Sequence, residues 1–282
     1  MADTKVIGID LGATNIRGAV VKGSSLSDIV SVRIHSDGEV EDVLGDIYQV
    51  VESLIGEGVE AIGIGVPSVV DVAEGIVYDV QYIRSWVEVP LKKILESRYG
   101  KPVFVNNDAN CFALGELYFG KGRGAGSMIG LTLGTGLGGG VIINNKLYAG
   151  YNCGAGEIGL LPYKDNVLEY YCSGSFFTNV HGLDGLGVFE DAKKGDARAL
   201  ELFAELGTHV GQGIKAVIYT YDPELIVLGG SVSQAYDLFR ETMWKEIRTL
   251  AYVKSAGRIR VEVSELVNSG IFGAAALYYD AQ

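Results

Sequence analysis

Asp10, Thr14 and Asn15 surround a glycine-containing turn in VIGIDLGATNIRGAVV, residues 6–21, and that segment recurs in altered form as MIGLTLGTGLGGGVII, residues 128–143. At a constant offset, Leu11, Gly12 and Gly18 meet Leu133, Gly134 and Gly140, while Ile9, Ala19, Val20 and Val21 meet Leu131, Val141, Ile142 and Ile143. Each copy reads as strand, tight turn and strand. Glycine has no Cβ, so the backbone N–H groups of such a turn can close on a phosphate and form an anion-binding concavity. In the first copy Thr14 and Asn15 add side-chain donors where the chain turns back. Asp10, ending the first strand, can hold a hydrated magnesium ion, which keeps several waters and takes one or two carboxylates beside substrate phosphates. Alone, either turn reads as an ordinary hairpin whose glycines serve only the turn. The duplication, with the aspartate in one copy only, points to a nucleotide clamp.

The elements that must position these groups belong to a chain of 282 residues, above what one core usually supports, so two domains are expected. Hydrophobic content of 48% and charged content of 21% are those of a globular protein, and 40 glycines imply many tight turns. A net charge of −12, with a pI near 4.7, argues against a nucleic-acid surface, which would show a basic stripe. Phosphate sites must therefore be local, built from backbone donors and magnesium. Cys111, Cys153 and Cys172 are too scattered for a disulfide framework or a CxxC metal pair, which favours a reducing compartment. No basic segment followed by an apolar run opens the chain, and no stretch reaches the ~18 apolar residues of a membrane span. A cytoplasmic protein without membrane partners is expected.

Along the chain, strands are expected at 5–10, 16–22 and 29–35, followed by an amphipathic helix near 40–56. AIGIGVPSVVD, residues 61–71, reads as a buried strand ending at Pro67, EGIVYDV as a short strand, and 90–100 as a helix stopped by Gly100. Residues 102–120 read as strand, polar turn and helix. The second hairpin ends at Asn144-Asn145, residue types that tolerate positive φ. A long helix with a spine of Leu200, Phe203, Leu206, Val210, Ile214, Val217 and Ile218 fits 196–221. DPELIVLGGSVS, 222–233, reads as strand, Gly-Gly turn and helix, with Ser231 or Ser233 as the N-cap. One more strand is expected at 258–263, and a small-residue helix suited to close packing at 269–279.

The pieces DLGATNIRG, GIGVPSVVD, VNNDANCFALGE, LGTGLGGG, GAGEIG and LIVLGGS stand in the order and spacing of the ROK family (repressors, open reading frames and sugar kinases). The resemblance spans essentially the whole chain. It implies an α/β, two-lobed, actin-like (ribonuclease H-like) ATPase fold with a cleft between the lobes. The lobes are expected at 1–110 plus 270–282 and at 111–269, with the boundary inside the helix after Asp108. It also implies ATP and Mg2+ as cofactors, a small-molecule sugar as substrate, and a homodimer. Repressors of the family usually carry a DNA-binding domain ahead of the first hairpin. Only a few residues precede that strand here, which favours the kinase reading.

Asp108 is the expected catalytic residue. Phosphoryl transfer to a sugar hydroxyl needs a group that accepts the hydroxyl proton and aims the oxygen at the γ-phosphate, and a carboxylate can do both. At a helix start the dipole keeps it ionised. Taken from the local sequence alone, Asn107 or Asp108 reads first as an N-cap, and the two hairpins with the resemblance turn the reading of Asp108 to catalysis. The resemblance implies that Gly65, Ser68, Asn107, Asp108, Glu157 and Glu169 contact the sugar. It implies that Gly12, Ala13, Thr14, Asn15, Thr132, Gly134, Thr135 and Gly136 hold ATP phosphates, with Gly229 and Gly230 against the adenosine. Asp10 would hold magnesium through water.

The chain also departs from the family. Many members continue GEIG with a histidine and a cysteine-rich loop that bind zinc, whereas here Leu160 and LPYKDNV, 161–167, stand in those places. Cys153 and Cys172 lie outside the matching positions, so no zinc is expected. Ser68 replaces a usual glycine, offering a hydroxyl where the backbone would approach the sugar, and Tyr82 stands where an asparagine is common. The expected activity is phosphorylation of a hexose or N-acetylhexosamine, glucokinase-like at the 6-hydroxyl. The alternatives are a kinase for fructose or N-acetylmannosamine, or a non-catalytic sugar-sensing regulator. GTGLGG, residues 134–139, formally satisfies GxGxxG, but a strand follows where a dinucleotide fold needs a helix. No Walker A motif occurs.

Overall fold

The computed structural model describes residues 4–282. In chain order the first elements are β1 (Lys5–Leu11), β2 (Asn15–Lys22), β3 (Ser25–Leu26), β4 (Val30–Arg33), α1 (Val40–Leu54) and β5 (Val59–Val66). Then come β6 (Val69–Asp71), β7 (Ile76–Tyr78), β8 (Glu88–Val89), α2 (Leu91–Tyr99), β9 (Val103–Asn107) and α3 (Asp108–Phe119). The middle of the chain forms β10 (Ser127–Leu133), β11 (Leu137–Ile143), β12 (Lys146–Leu147), β13 (Pro162–Tyr163) and β14 (Asn166–Val167). It continues through α4 (Leu168–Cys172), α5 (Phe176–His181), α6 (Gly185–Lys193) and α7 (Ala197–Tyr221). The last elements are β15 (Leu225–Gly229), α8 (Tyr236–Ile247), α9 (Val253–Ala256), β16 (Arg260–Val263) and α10 (Ser269–Asp280).

Two compact units result. One holds the chain through Gly124, Gly140–Ala155 and Leu266–Gln282, and the other holds Ala125–Gly139 and Gly156–Glu265. In the first, the sheet order is β3-β2-β1-β5-β9, with β4 also on β2. β1 runs antiparallel to β2 and parallel to β5, which in turn is parallel to β9. β1 and β5 read as near-continuous apolar runs because both of their faces are covered. One cover is α1, whose Val43, Leu44, Ile47, Val50 and Val51 are buried at helical spacing. The other is α10, which approaches so closely that a Cβ on Gly8 or Gly63 would meet the carbonyl oxygen of Ile271 or Ala274 within 2.1 or 1.8 Å. In the second unit β10, β15 and β16 are mutually parallel neighbours and β11 lies beside β10.

The units differ in extent from the expected lobes. A boundary after residue 110 cuts α3, yet that helix stays whole in the first unit because Gly115 packs on Ser269 and Gly273 of α10. The returning half of β11 joins it, since a Cβ on Gly140 would lie 2.5 Å from the Ala109 carbonyl oxygen and from Ala113 Cβ. The buried strand expected to end at Pro67 ends at Val66, and Val69–Asp71 pairs with β7 in a separate three-stranded sheet. One reading is corrected. Neither Ser231 nor Ser233 caps a helix: Ser231–Ala235 is a 3₁₀ turn, and Ser233 Oγ donates back to the Gly230 carbonyl at 2.7 Å. Among the described residues no helix is long and apolar enough to cross a membrane.

Candidate active site

In the first unit, strand register sets Arg17, Asp10, Gly65 and Asn106 side by side on β2, β1, β5 and β9. Strands lie about 4.8 Å apart, so the backbones of Asp10 and Asn106 are separated by roughly 10 Å. Gly65 is needed for close approach: a Cβ there would sit 3.1 Å from Cys111 Sγ and 3.7 Å from the Asp108 Cα. The Cys111 thiol is pushed well up by burial and then by the carboxylates of Asp108 and Asp10, which makes it inert.

Burial pushes the Asp10 carboxyl above its usual range, and Arg17 pulls it back only in part. Arg17 also donates to Asn268 Oδ1 at 2.6 Å, just ahead of α10. Gly270, in the first turn of α10, lies over the carboxylate, where a Cβ would come within 2.8 Å of Asp10 Cγ. A desolvated carboxylate in a cradle kept open by glycine fits a hydrated magnesium ion, which would relieve the cost of its charge. At the nearby turn Gly12 N donates to the Asn15 carbonyl at 3.1 Å, and Ile34 N to that of Thr14 at 3.0 Å. Ala13, Thr14 and Asn15 are exposed, so the side-chain donors face solvent.

The structure separates the two cap candidates. Asn107 Oδ1 accepts from Ala109 N at 2.9 Å and Asn110 N at 3.3 Å, which makes Asn107 the N-cap of α3, and its Nδ2 donates to the Ser68 carbonyl at 3.3 Å. Asp108 is the first helical residue and is exposed, its Oδ1 accepting from Ala109 N at 2.8 Å. Its charge stands in the favourable field of the helix start. The Ser68 hydroxyl, expected at the sugar, donates to the Tyr78 carbonyl at the end of β7. Sequence reasoning missed Asn106. Buried, it accepts through Oδ1 from Asn107 N at 2.8 Å, Asn110 Nδ2 at 2.9 Å and Cys153 Sγ at 3.3 Å, and so fixes the strand-to-helix junction. Tyr82 is half exposed.

In the second unit the β10–β11 turn closes through Gly134 N donating to the Gly136 carbonyl at 3.0 Å. Thr132 pairs with Gly229. Gly230 has φ 82° and ψ 173°, a conformation essentially confined to glycine, and a Cβ there would lie 2.4 Å from the Leu133 carbonyl oxygen. Gly174 N donates to the Gly134 carbonyl and Ser175 Oγ to that of Thr135, both at 2.7 Å. Beside this turn opens a cavity of about 360 Å³, lined among others by Thr135, Phe177, Asp184, Phe189 and Val232. Glycine floors and aromatic walls suit a flat ring with polar edges. Residues 174–189 carry no long periodic signal, because α5 has only six residues and stops at Gly182, whose φ is 66°. Their glycine spacing is the one hint the sequence offers. Gly230→Ala is expected to raise the KM for ATP while leaving the KM for sugar nearly unchanged, as steady-state kinetics with each substrate varied will show.

Glu169 and Glu157 also belong to this unit. Glu169 Oε2 accepts from Leu137 N at 2.8 Å, so it braces the hairpin tip, and a Cβ on Gly136 would strike the same oxygen. Glu157 is exposed at the head of the 3₁₀ turn Ile158–Leu160, its carboxyl raised by partial desolvation and then by Glu169. Glu169→Gln keeps an acceptor for Leu137 N and removes the charge. It is expected to raise the sugar KM alone, whereas Glu169→Ala should raise the KM for ATP as well, and equal effects of the two variants on both constants would reject this division. Leu160 is 61% exposed. Cys172 Sγ donates to the His209 carbonyl at 3.1 Å. Among the described residues no group of three or more His, Cys, Asp or Glu side chains could hold a metal ion.

The ROK family profile matches residues 6–281. The chain is 30% identical to a glucokinase of Thermotoga maritima over 98% of both chains. It is 26% identical to a xylose repressor of Caldicellulosiruptor bescii, over 94% of this chain and 75% of the repressor. Its structure superposes, at a TM-score of 0.81 and 31% identity, on a ROK family glucokinase from Streptomyces griseus in complex with glucose and AMPPNP, covering 97% of this chain and 98% of that one. Profile, relatives and fold agree: this chain belongs to the ROK family and has its mixed α/β, actin-like ATPase fold.

Proposed function

We propose that this protein transfers the γ-phosphoryl group of ATP to a hydroxyl of a hexose, with glucose-like sugars first and the 6-hydroxyl as acceptor. The observation that carries the reading is Asp108: an exposed carboxylate at a helix start, relieved of the main capping duty by Asn107, at the end of the sheet that also holds Asp10. Asp108 takes the proton from the acceptor hydroxyl as its oxygen bonds to the γ-phosphorus. The bond from that phosphorus to the bridging oxygen breaks, and ADP leaves. Proton uptake by so modest a base suffices in a loose transition state, where positioning counts for more than basicity. Asp10 would hold magnesium, which when bound supplies charge neutralisation to the phosphates. In the second unit, the cavity beside Gly134 and Gly230 would take the adenosine, and Glu157 and Glu169 would accept hydrogen bonds from sugar hydroxyls.

Similarity to glucokinases supports the reading, including the one solved with glucose and an ATP analogue. Similarity to a xylose repressor favours a second one, a sugar-binding regulator without turnover. An ADP-release assay with Mg-ATP and glucose, mannose, fructose, allose, N-acetylglucosamine and N-acetylmannosamine separates the two. Sugar-dependent ADP release, strongest with glucose, is expected. Saturable sugar binding with no release from any sugar would establish the regulator.

A further inference from the structure

Between Glu157 and Glu169 the chain makes a 3₁₀ turn and then the small hairpin of β13 and β14. Two side chains of that hairpin reach a single buried ring in the middle of α7. Tyr163 Oη lies 3.0 Å from His209 Nδ1, and Lys164 Nζ lies 3.4 Å from His209 Nε2. The imidazole is 4% exposed and is packed by the rings of Tyr163, Tyr171 and Phe176 at centroid distances of 5.7, 5.2 and 5.6 Å. Lys164 has φ 53° and carries its ammonium 4.7 Å above the Tyr171 ring, while Tyr171 donates its hydroxyl to Asp165.

An ammonium has donors and no acceptor, so His209 Nε2 must accept from Lys164. Nδ1 then carries the ring hydrogen and donates to Tyr163. One neutral tautomer thus satisfies both bonds, whereas an imidazolium would present a second donor and a like charge to the ammonium. We propose that neutral His209 is a positioning residue for the Glu157–Glu169 segment: by clasping Tyr163 and Lys164, it holds the two carboxylates where they receive the sugar. The sugar-binding part rests on the kinase reading above.

The groups around the ring come from every element packed on it. The hairpin brings Tyr163 and Lys164, α4 brings Tyr171 and Cys172, α5 brings His181, and α7 itself brings Glu205. Glu205 Oε1 lies 3.8 Å from His209 Nε2 and its Oε2 lies 3.1 Å from His181 Nε2. Burial first, then Lys164, pull the His209 pKa below the ordinary 6.5, with His181 adding to them and Glu205 opposing. The folded state therefore favours the uncharged ring. Its contribution is complete above 6.5 and is lost as pH falls through the lowered value.

The test uses the full-length protein and the variants His209→Gln and Tyr163→Phe, the second deleting only a hydroxyl. Hydrogen exchange at neutral pH is expected to quicken in peptides spanning 157–169 in both variants and to stay unchanged in α10. Unchanged exchange across 157–169 would overturn the clasp whatever the protein phosphorylates. In kinetics with glucose and Mg-ATP, the KM for glucose should rise about tenfold in His209→Gln, in line with the cost of small misplacements, while kcat holds and the KM for ATP rises far less, through the Glu169 brace on Leu137. The wild-type KM for glucose should also rise as pH falls through the lowered His209 value, and that of His209→Gln should rise less, with the Glu157 carboxyl the titrating group left. An unaltered glucose KM in an active variant, or an equal rise for ATP, rejects the positioning role. Absence of turnover by the wild type with any sugar defeats the kinase reading instead, and the exchange data then decide the clasp alone.

Discussion

Asp108→Asn is expected to lower kcat by about 10²-fold or more, the usual size of a general-base effect, with binding of an ATP analogue nearly intact. Two features of the structure make this substitution a clean one. Asn107 supplies the bond to Asn110 N and shares Ala109 N with Asp108, so the start of α3 does not depend on a charge at 108. Asparagine also keeps the Oδ1 that accepts from Ala109 N. What disappears is the proton-accepting lone pair, together with the negative charge. Circular dichroism and the melting temperature should therefore match the wild type, and calorimetric titration with the analogue should give a similar Kd. Turnover close to wild type would remove Asp108 from its role and leave the carboxylate as a helix-start charge worth a few tenths to about 1 kcal/mol.

The second large effect is on stability. In Gly273→Ala the new Cβ would stand 1.7 Å from the Cys111 carbonyl oxygen, and in Gly63→Ala 1.8 Å from that of Ala274. Both obstacles are backbone, which cannot rotate away as a side chain does. Overpacking of a tight interior usually costs 1–3 kcal/mol, and with backbone as the obstacle we expect about 3 kcal/mol or more for each variant. For a protein of this size, that lowers Tm by roughly 6–12 °C in calorimetry. Gly45→Ala is the internal control. It lies within α1 with nothing inside 4 Å of the added Cβ, so it should gain about 0.5–1 kcal/mol from helix propensity alone. Equal Tm values for Gly273→Ala and Gly45→Ala would show that α10 does not pack as tightly as described. Because Gly270 of the same helix overlies Asp10, an active Gly273→Ala protein should also need more magnesium.

Periodicity and turn chemistry are local properties, and they are what the chain's order of residues discloses without coordinates. The alternating or continuous apolar runs of β1, β2, β5, β10 and β15, the 3.6-residue spacing in α1 and in α7 from Phe203 on, and the stops at Gly100 and Asn144-Asn145 all appear within a few residues of where they were read, whereas Leu200 of the expected α7 spine is exposed. The duplicated hairpin and the Asn107-Asp108 junction were legible for the same reason, since each joins a strand signal to a turn signal. Partners distant in the chain were not. Nothing near Gly63 or Gly273 announces that α10 lies against their backbones, nothing near Glu169 that it braces Leu137, and nothing near His209 that Tyr163 and Lys164 close on its ring. Asn107 and Asp108 are both good capping residues, so only the geometry of the β9–α3 corner assigns the cap to one and leaves the other's charge open to solvent. Such choices depend on which atoms packing brings within 3 Å, a condition set by the whole fold, and no window of neighbouring residues contains it.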